Sequence, residues 1–528
     1  MYTIRNASLI LVSAMFLLST ACNTASEIED PPNILFCIAD DASYPFMSAY
    51  GCNWIQTPAF DRIAEEGILF DNAYTPNAKC APSRSCIITG MNSWQLGEAA
   101  NHWPYFPAEF VSVVEVLDSA GYHTGFTGKG WAPGIAGKLN GRARHLTGKP
   151  YNQIRKTPPT KQISDIDYSE NFKAFMDERE KGQPWFFWYG GKEPHRAYTY
   201  GSGAGVGGME PNSLDSVPGF WPDNEVTRND LLDYSFEVQY FDQELAEILG
   251  ELEASGELEN TLVIVTSDNG MPFPRIKGQE YELSNHLPLA IMWKKGISEP
   301  GRSVDDLISF IDFAPTFLEI SGASIDSAQQ SLPGKSMVQL FSTEGRERDW
   351  TPREYVLIGK ERHDVGRPDD VGYPIRGIIR DDYLFLRNFK PDRWPAGNPV
   401  TGYLNCDGSP TKTEILNMNR HDSSSWYWEK NFGKRPGREL YNIQADPLCL
   451  NNLANDPAYT DLANMMETIM TTNLREQGDP RILGNGSIFD NYTYADKSTR
   501  NFYNRYINGE DLPAGWVNPS DFEHFDPE

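Results

Sequence analysis

Two seven-residue, largely apolar runs, Asn33–Ala39 and Thr261–Ser267, constrain the fold of this chain more than any other feature. An unbroken stretch of that kind is the pattern of a strand buried on both faces, which implies a parallel sheet covered by helices. The intervening sequence fits the same scheme. Residues 109–120 read as an amphipathic helix stopped by Gly121, 122–127 as the next strand and 184–189 as an aromatic strand. A long helix is expected at about 227–254, with Leu, Phe and Ile at helical spacing. The segment 312–320 carries Pro315 near its start and Gly322 just past its end, as helix capping prefers. This βα alternation predicts an α/β fold built on a large, mostly parallel, doubly wound sheet with helices on both faces. After about Arg346 the pattern changes to short strands at 355–359, 375–379 and 383–388, followed by a helix over 460–476. That predicts a smaller C-terminal subdomain with a short antiparallel sheet. The last fifty residues, rich in Asn, Tyr, Asp and Gly, are expected to wrap the surface.

At 528 residues the chain exceeds one ordinary domain. The expected divisions are an export signal over 1–22, a tether over 23–31, an α/β domain over 32–346 and the C-terminal subdomain over 347–528. In the signal, Arg5 precedes the apolar run Leu9–Leu18 and then Ser19-Thr20-Ala21-Cys22. The run is too short for a membrane span. Cys22 after small residues resembles a bacterial lipoprotein cleavage site, with Ser19 where a Leu is usual. The expected location is therefore periplasmic or on a bacterial cell surface, with membrane contact only through a lipid at Cys22; the alternative is simple secretion. Lys and Arg total 46 against 73 Asp and Glu, a net charge of -27. A field of that sign repels nucleic acid and anionic membrane, but it leaves room for an anionic substrate captured locally by a few cations. Seven cysteines stand at 22, 37, 52, 80, 86, 406 and 449, and their spacing fits no zinc pattern.

The strand Asn33–Ala39 runs into Asp40-Asp41, and Thr261–Ser267 into Asp268-Asn269-Gly270. Ligands of open parallel sheets bind beyond the carboxyl ends of the strands. Three carboxylates and an amide oxygen would converge there as a site for a hard cation such as calcium or magnesium; taken singly, either motif could be a polar strand-ending turn. In Cys80-Ala81-Pro82-Ser83-Arg84, Pro82 suits the first turn of a helix. Cys80 would lie at a helix N-terminus, where backbone N–H groups favour anions, and Arg84 one turn on. On these grounds alone Cys80 is a candidate low-pKa thiol or a structural loop cysteine.

The run Cys80-Ala81-Pro82-Ser83-Arg84, with Thr89-Gly90 beyond it, resembles the signature of type I sulfatases. Further segments are similar to that family in the same order: the opening strand with Asp40-Asp41, Thr57-Pro58 with Asp61-Arg62-Ile63-Ala64, and 121–129 ending on Lys129. They continue with Asp268-Asn269-Gly270, Glu439-Leu440-Tyr441, Asp446-Pro447 and Asn452-Leu453-Ala454. Together they span roughly 32–475. Within the family, Asp268 to Pro274, Glu193-Pro194-His195-Arg196 and 372–376 look most like heparan N-sulfatases. The resemblance implies an alkaline-phosphatase/sulfatase-like fold, hydrolysis of a sulfate ester or sulfamate on a glucosamine-type glycan, and a partner enzyme that converts Cys80 to formylglycine. It implies a cation, calcium or magnesium, held by Asp40, Asp41, Asp268 and Asn269 together with the group at position 80. It further implies Arg84 as the residue that orients that group, Lys129 and Lys277 as cations on the sulfate oxygens, and His195 as the acid for the leaving group.

Two positions depart from the pattern. Trp131 stands where the family carries a second histidine; either His123, His286 or His363 replaces it, or the chain works without one. Lys277 stands where heparan N-sulfatases have Arg, a change that alters bidentate recognition. For substrate recognition the candidates are His363, Arg376, Arg196 and Glu361; a solvated loop is the alternative for the 361–364 cluster. The competing functions are a phosphatase or phosphonate monoester hydrolase of the same superfamily, and a non-catalytic glycan-binding surface lipoprotein.

Overall fold

A computed structural model of the chain describes residues 30–523 apart from 140, 328–329 and 343–349. The expected signal, Cys22 and most of the tether lie outside the described residues, as does the expected division between 346 and 347.

The main sheet contains β1 (Asn33–Ala39), β2 (Ile68–Phe70), β3 (His123–Gly128), β4 (Lys149–Pro150), β5 (Trp185–Gly190), β6 (Thr261–Ser267), β7 (Leu289–Met292) and β8 (Arg302–Val304). Their spatial order is β8-β2-β7-β6-β1-β5-β3-β4. All run the same way except β7, which is antiparallel to both β6 and β2. The two runs that dominate the sequence are neighbours at the centre, paired Asn33↔Thr261 through Ala39↔Ser267. Their side chains alternate between two cores. Ile34, Phe36, Ile38, Leu262 and Ile264 enter one core, and Leu35, Cys37, Ala39, Val263 and Val265 enter the other. A strand with both faces buried has no place for the polar half of an alternating pattern, which is why both runs read as continuously apolar.

The helices close the two faces. Glu225–Ser255 begins where the Asn224 side chain accepts the Thr227 N–H and ends at Gly256 in the left-handed region, φ 75°. The helix expected from residue 109 begins only at Val113. A capping box sets that start: Ser112 Oγ accepts the Val114 N–H at 3.2 Å, and the Glu115 carboxylate accepts the Ser112 N–H at 3.1 Å.

A second, antiparallel sheet contains β9 (Val356–Lys360), β10 (Ile375–Arg380), β11 (Tyr383–Asn388) and β12 (Arg438–Asn442) in that spatial order. The sequence reading omits β12, in which Arg438, Glu439 and Asn442 mask the strand pattern. Glu439 points inward nevertheless, because it accepts from Tyr281 Oη, Tyr441 Oη and Asn388 Nδ2 at 3.0, 2.5 and 2.6 Å. The helix Thr460–Glu476 packs on β10 and β11. The tail beyond it does more than wrap the surface. Asp479 is fully buried against Arg376, and Tyr494 and Trp516 reach the cleft at the carboxyl end of the main sheet.

Candidate active site

β1 and β6 end side by side, so Asp40, Asp41, Asp268 and Asn269 emerge at one rim, all buried. Successive strand residues point to opposite faces, so two neighbouring carboxylates would normally diverge. Asp41 escapes this by adopting φ 80°. Its N–H donates to Asp268 Oδ1 at 3.1 Å, and the next N–H, of Ala42, donates to Ser267 Oγ at 2.7 Å. The strained turn is thus held by the neighbouring strand end.

Cys80 is the first residue of a fully buried helix, Cys80–Thr89, preceded by Lys79 as N-cap. Its Sγ lies 3.6 Å from Asp40 Oδ1 and 3.8 Å from Asp41 Oδ1. The reading of Cys80 as a low-pKa thiol is corrected here. Burial pushes the thiol well above its ordinary value, Asp268 and Asp40 add to the rise, and Lys129 and Lys277 only partly oppose it. A helix N-terminus cannot ionise a sulfur enclosed by carboxylates.

One turn on, Arg84 is wholly buried and saturated with acceptors. Its Nε donates to Asp268 Oδ2 at 2.8 Å, one terminal nitrogen to the Lys129 and Gly130 carbonyls at 2.8 and 2.9 Å, and the other to Asp40 Oδ1 at 3.4 Å. Lys129 Nζ reaches both Asp40 oxygens at 2.6 Å. Lys277 Nζ bridges Asp41 Oδ2 at 2.6 Å and Asp407 Oδ2 at 2.9 Å. Burial alone would raise Asp40, yet Lys129, His195, Arg84 and Lys277 hold it well below the usual carboxylate range. Asp268 is pushed up to about 6 by burial, against the pull of Arg84.

These residues suit a hard cation. Asp40, Asp41, Asp268 and Cys80 offer ligand atoms that all lie within 4.8 Å of one another. Asn269 donates its amide N–H to Asp41 Oδ1 at 2.7 Å, and its Oδ1 is buried with no hydrogen-bond partner among the described residues. A buried oxygen without a donor, beside three carboxylates, is chemistry that a cation completes.

His195 follows Glu193-Pro194 and is partly exposed. Its Nδ1 sits 2.6 Å from the Arg196 carbonyl, which fixes the proton there, and its Nε2 lies 3.9 Å from Asp41 Oδ2. A cleft of about 260 Å³ joins Cys80, Lys129, His195 and Lys277. Its remaining walls include Lys79, His102, Asp364 and Asp407, with the rings of Trp103, Tyr494 and Trp516.

The four residues expected to recognise substrate are placed differently. Arg376 donates to Asp479 at 2.8 and 2.9 Å and to Glu361 at 2.8 Å, and Glu361 also accepts from Arg481 Nε at 2.8 Å. This buried ion network ties the second sheet to the tail and leaves Arg376 and Glu361 outside the cleft lining, whereas Asp364 of the same segment lies in that lining, so the 361–364 cluster is not a solvated loop. His363 is buried with Nε2 on Asn77 Oδ1 at 2.8 Å. Arg196 donates to both Asp230 oxygens at 2.7 and 2.9 Å and to the Pro272 carbonyl at 2.7 Å, between the rings of Tyr198 and Phe273. It anchors the loop that carries His195.

Trp131 donates Nε1–H to Ser85 Oγ at 2.8 Å and meets Phe106 edge-on, so it braces the Cys80 helix. Neither His123, stacked on Phe175, nor His286, between Tyr44 and Tyr74, lines the cleft. The cleft histidine that sequence reasoning missed is His102. Asp407, Tyr494 and Trp516 were missed too, because isolated polar and aromatic residues in loops carry no spacing signal.

Comparison with known proteins agrees with this geometry. The sulfatase family model matches residues 32–323. Human N-sulphoglucosamine sulphohydrolase is 27% identical over 85% of this chain and 91% of its own. N-acetylglucosamine-6-O-sulfatase of Bacteroides thetaiotaomicron is 26% identical over 66% and 78%. An ulvan-active sulfatase of Formosa agariphila is 25% identical over 83% and 73%. A solved structure in complex with its substrate D-glucosamine-2-N,6-O-disulfate superposes with TM-score 0.60 and 21% identity, covering 85% of this chain and 99% of that one. A family match over more than half of the chain, on a rim that gathers Cys80, Arg84 and the carboxylates, makes this protein a member of the sulfatase family, a sulfuric ester or sulfamate hydrolase.

Proposed function

We propose that this sulfatase removes sulfate from a glucosamine-type glycosaminoglycan, as a sulfate ester or an N-sulfo group, with formylglycine formed from Cys80 by a maturation enzyme and calcium held by Asp40, Asp41, Asp268 and Asn269. The observation that carries the reading is position 80 itself. It opens a buried helix within 3.8 Å of two carboxylates, above Arg84 and between Lys129 and Lys277. Calcium bound there supplies Lewis-acid polarisation of a sulfate oxygen and lowers the pKa of the attacking group. The hydrate of an aldehyde at position 80 would supply a hydroxyl as nucleophile, and its second hydroxyl would expel sulfate and restore the aldehyde, which the buried thiol cannot do.

The chain's own residues do the rest. Lys129 and Lys277 stand on opposite sides of the carboxylate rim and neutralise sulfate oxygens as charge builds on them. Arg84 holds the helix start against both strand ends and so fixes the distance from position 80 to the carboxylates. His195 keeps its Nδ1 proton on a carbonyl, and its Nε2 delivers a proton to the departing nitrogen or oxygen. Trp103, Tyr494 and Trp516 offer apolar faces to a sugar ring. Two of the relatives, the human N-sulphoglucosamine sulphohydrolase and the N-acetylglucosamine-6-O-sulfatase, are named for glucosamine sulfates and support this substrate class, whereas the Formosa agariphila relative is named for ulvan.

The signal-like segment that ends on Ser19-Thr20-Ala21-Cys22 supports a further proposal, an exported lipoprotein anchored through Cys22 and acting in the periplasm or at a bacterial cell surface. No helix among the described residues is long and apolar enough to cross a membrane. The proposed catalytic part is residues 32–346, with residues 347–528 walling the cleft.

Sulfate release from N-sulfo-, 6-O-sulfo- and 3-O-sulfoglucosamine, beside 4-nitrophenyl sulfate and 4-nitrophenyl phosphate, tests the proposal. Fastest turnover of a glucosamine sulfate supports it. Fastest turnover of the phosphate would overturn it in favour of a phosphatase.

A further inference from the structure

We propose that His102 reads the substrate: its Nε2 accepts a hydrogen bond from a sugar hydroxyl flanking the sulfate that is cleaved. The inference rests on the reading that the cleft binds a sulfated sugar.

Asp364 gathers three donors at this wall of the cleft. This buried carboxylate accepts from Lys79 Nζ at 2.8 Å, from Tyr494 Oη at 3.2 Å and from His102 Nδ1 at 2.8 Å. The partnership with Lys79 keeps the carboxylate ionised, so it acts only as an acceptor and His102 Nδ1 must carry the ring proton. In the neutral ring Nε2 is then a lone pair. That Nε2 is buried and has no hydrogen-bond partner among the described residues. Burial, only partly countered by Asp364, lowers the imidazole to about 4, so the ring stays neutral at physiological pH.

The ring is also held in place. The His102 N–H donates to the Arg362 carbonyl at 3.0 Å, and the Arg362 N–H donates to Asn101 Oδ1 at 2.9 Å, so the loop is stitched to the segment that carries Asp364. Lys79, another of the three donors to Asp364, precedes Cys80 directly. One side of this four-residue cluster is therefore covalently joined to the nucleophile position, and His102 on the other side lines the same cleft.

At about 260 Å³ this chamber lies below the lower end of typical ligand pockets, ~300 Å³, and it shares Lys129, Ala132 and His195 with an adjoining cavity of about 570 Å³. Cys80 and His102 line this same chamber, which places His102 beside the sugar that carries the sulfate at position 80. A neutral acceptor backed by an ionised carboxylate selects a donor there. A hydroxyl satisfies it, whereas a second sulfate brings only acceptors to an orphaned lone pair.

The test pairs enzyme variants with substrates that lack single hydroxyls. The substrates are the glucosamine sulfate turned over fastest, its monodeoxy analogues, and 4-nitrophenyl sulfate, which has no sugar hydroxyl. With wild-type enzyme one deoxy analogue is expected to lose about 10-fold in kcat/KM, the size of one hydrogen bond to a neutral group. His102→Ala should lose about 10-fold more on the full sugar than on the aryl sulfate and lose nothing further on that deoxy analogue. His102→Gln, whose amide oxygen also accepts, should recover part of the loss. Equal losses on sugar and aryl sulfate, or a wild type indifferent to every deoxy change, would overturn the inference; the second result needs no folded variant. A wild type that cleaves the aryl sulfate and no sugar would overturn the sugar reading itself.

Discussion

Arg84→Met is the sharpest perturbation of the rim. Methionine keeps a long unbranched side chain and removes every donor. The buried guanidinium serves Asp268 at 2.8 Å, two backbone carbonyls at 2.8 and 2.9 Å, and Asp40 at 3.4 Å. Its loss leaves two carboxylates and two carbonyls to fewer partners in a region closed to water. Breaking one side of a buried ion pair costs about 3–5 kcal/mol. With an unfolding entropy on the order of 1 kcal/mol per kelvin for a chain of this size, Tm should fall by about 3–5 °C. The same change removes one positive charge beside three carboxylates, so calcium should bind the variant's folded state more tightly. Its Tm gain on going from EDTA to millimolar calcium should therefore exceed that of wild type. Scanning calorimetry under both conditions reads both numbers. A variant within 1 °C of wild type in EDTA, or one with the smaller calcium gain, refutes the reasoning.

The pH dependence of stability should carry the mark of His102. Its folded value of about 4 lies below the unfolded ~6.5, so between those pH values the unfolded chain binds the extra proton and stability falls as pH drops. Between pH 7.5 and 5 wild type should lose about 2 kcal/mol that His102→Gln retains, read by guanidinium unfolding at both pH values; parallel curves contradict it. Gly190→Ala places a Cβ 2.0 Å from the Lys129 carbonyl oxygen. Lys129 must move by about an ångström, and kcat should fall roughly 10–100-fold with a smaller change in KM; steady-state kinetics showing an unaltered kcat would count against the role of Lys129. Lys277→Met leaves Asp41 and Asp407 without their shared cation. Turnover of sulfate esters should fall roughly 100-fold or more, and a loss below threefold argues against a place for Lys277 on the sulfate.

Much of the framework was legible in the sequence for a physical reason. A strand buried on both faces must be apolar throughout, so β1 and β6 announce themselves, and the polar residues that follow them can only sit at the rim. Cys80 and Arg84 lie one helical turn apart and needed no tertiary information. What failed was inference from local polarity. Arg376, Glu361 and Arg196 looked like recognition residues because charged side chains suggest solvent or ligand. Arg376 and Arg196 pair with Asp479 and Asp230, 103 and 34 residues away, and Glu361 pairs with Arg481, 120 residues away; only the fold brings them together. The strand β12 hid behind Glu439, whose three donors come from distant elements. His102 could not be singled out, since its orienting carboxylate, Asp364, lies 262 residues further on.

Everything at the rim turns on the chemistry of one side chain, at position 80, and one mass measures it. Trypsin cleaves after Lys79 and Arg84 and isolates Cys80 to Arg84 as a short peptide. Full-length protein, co-expressed with a formylglycine-generating enzyme and active on a sulfate ester, should yield that peptide about 18 mass units below the thiol form. An unmodified cysteine in the active protein would contradict the account.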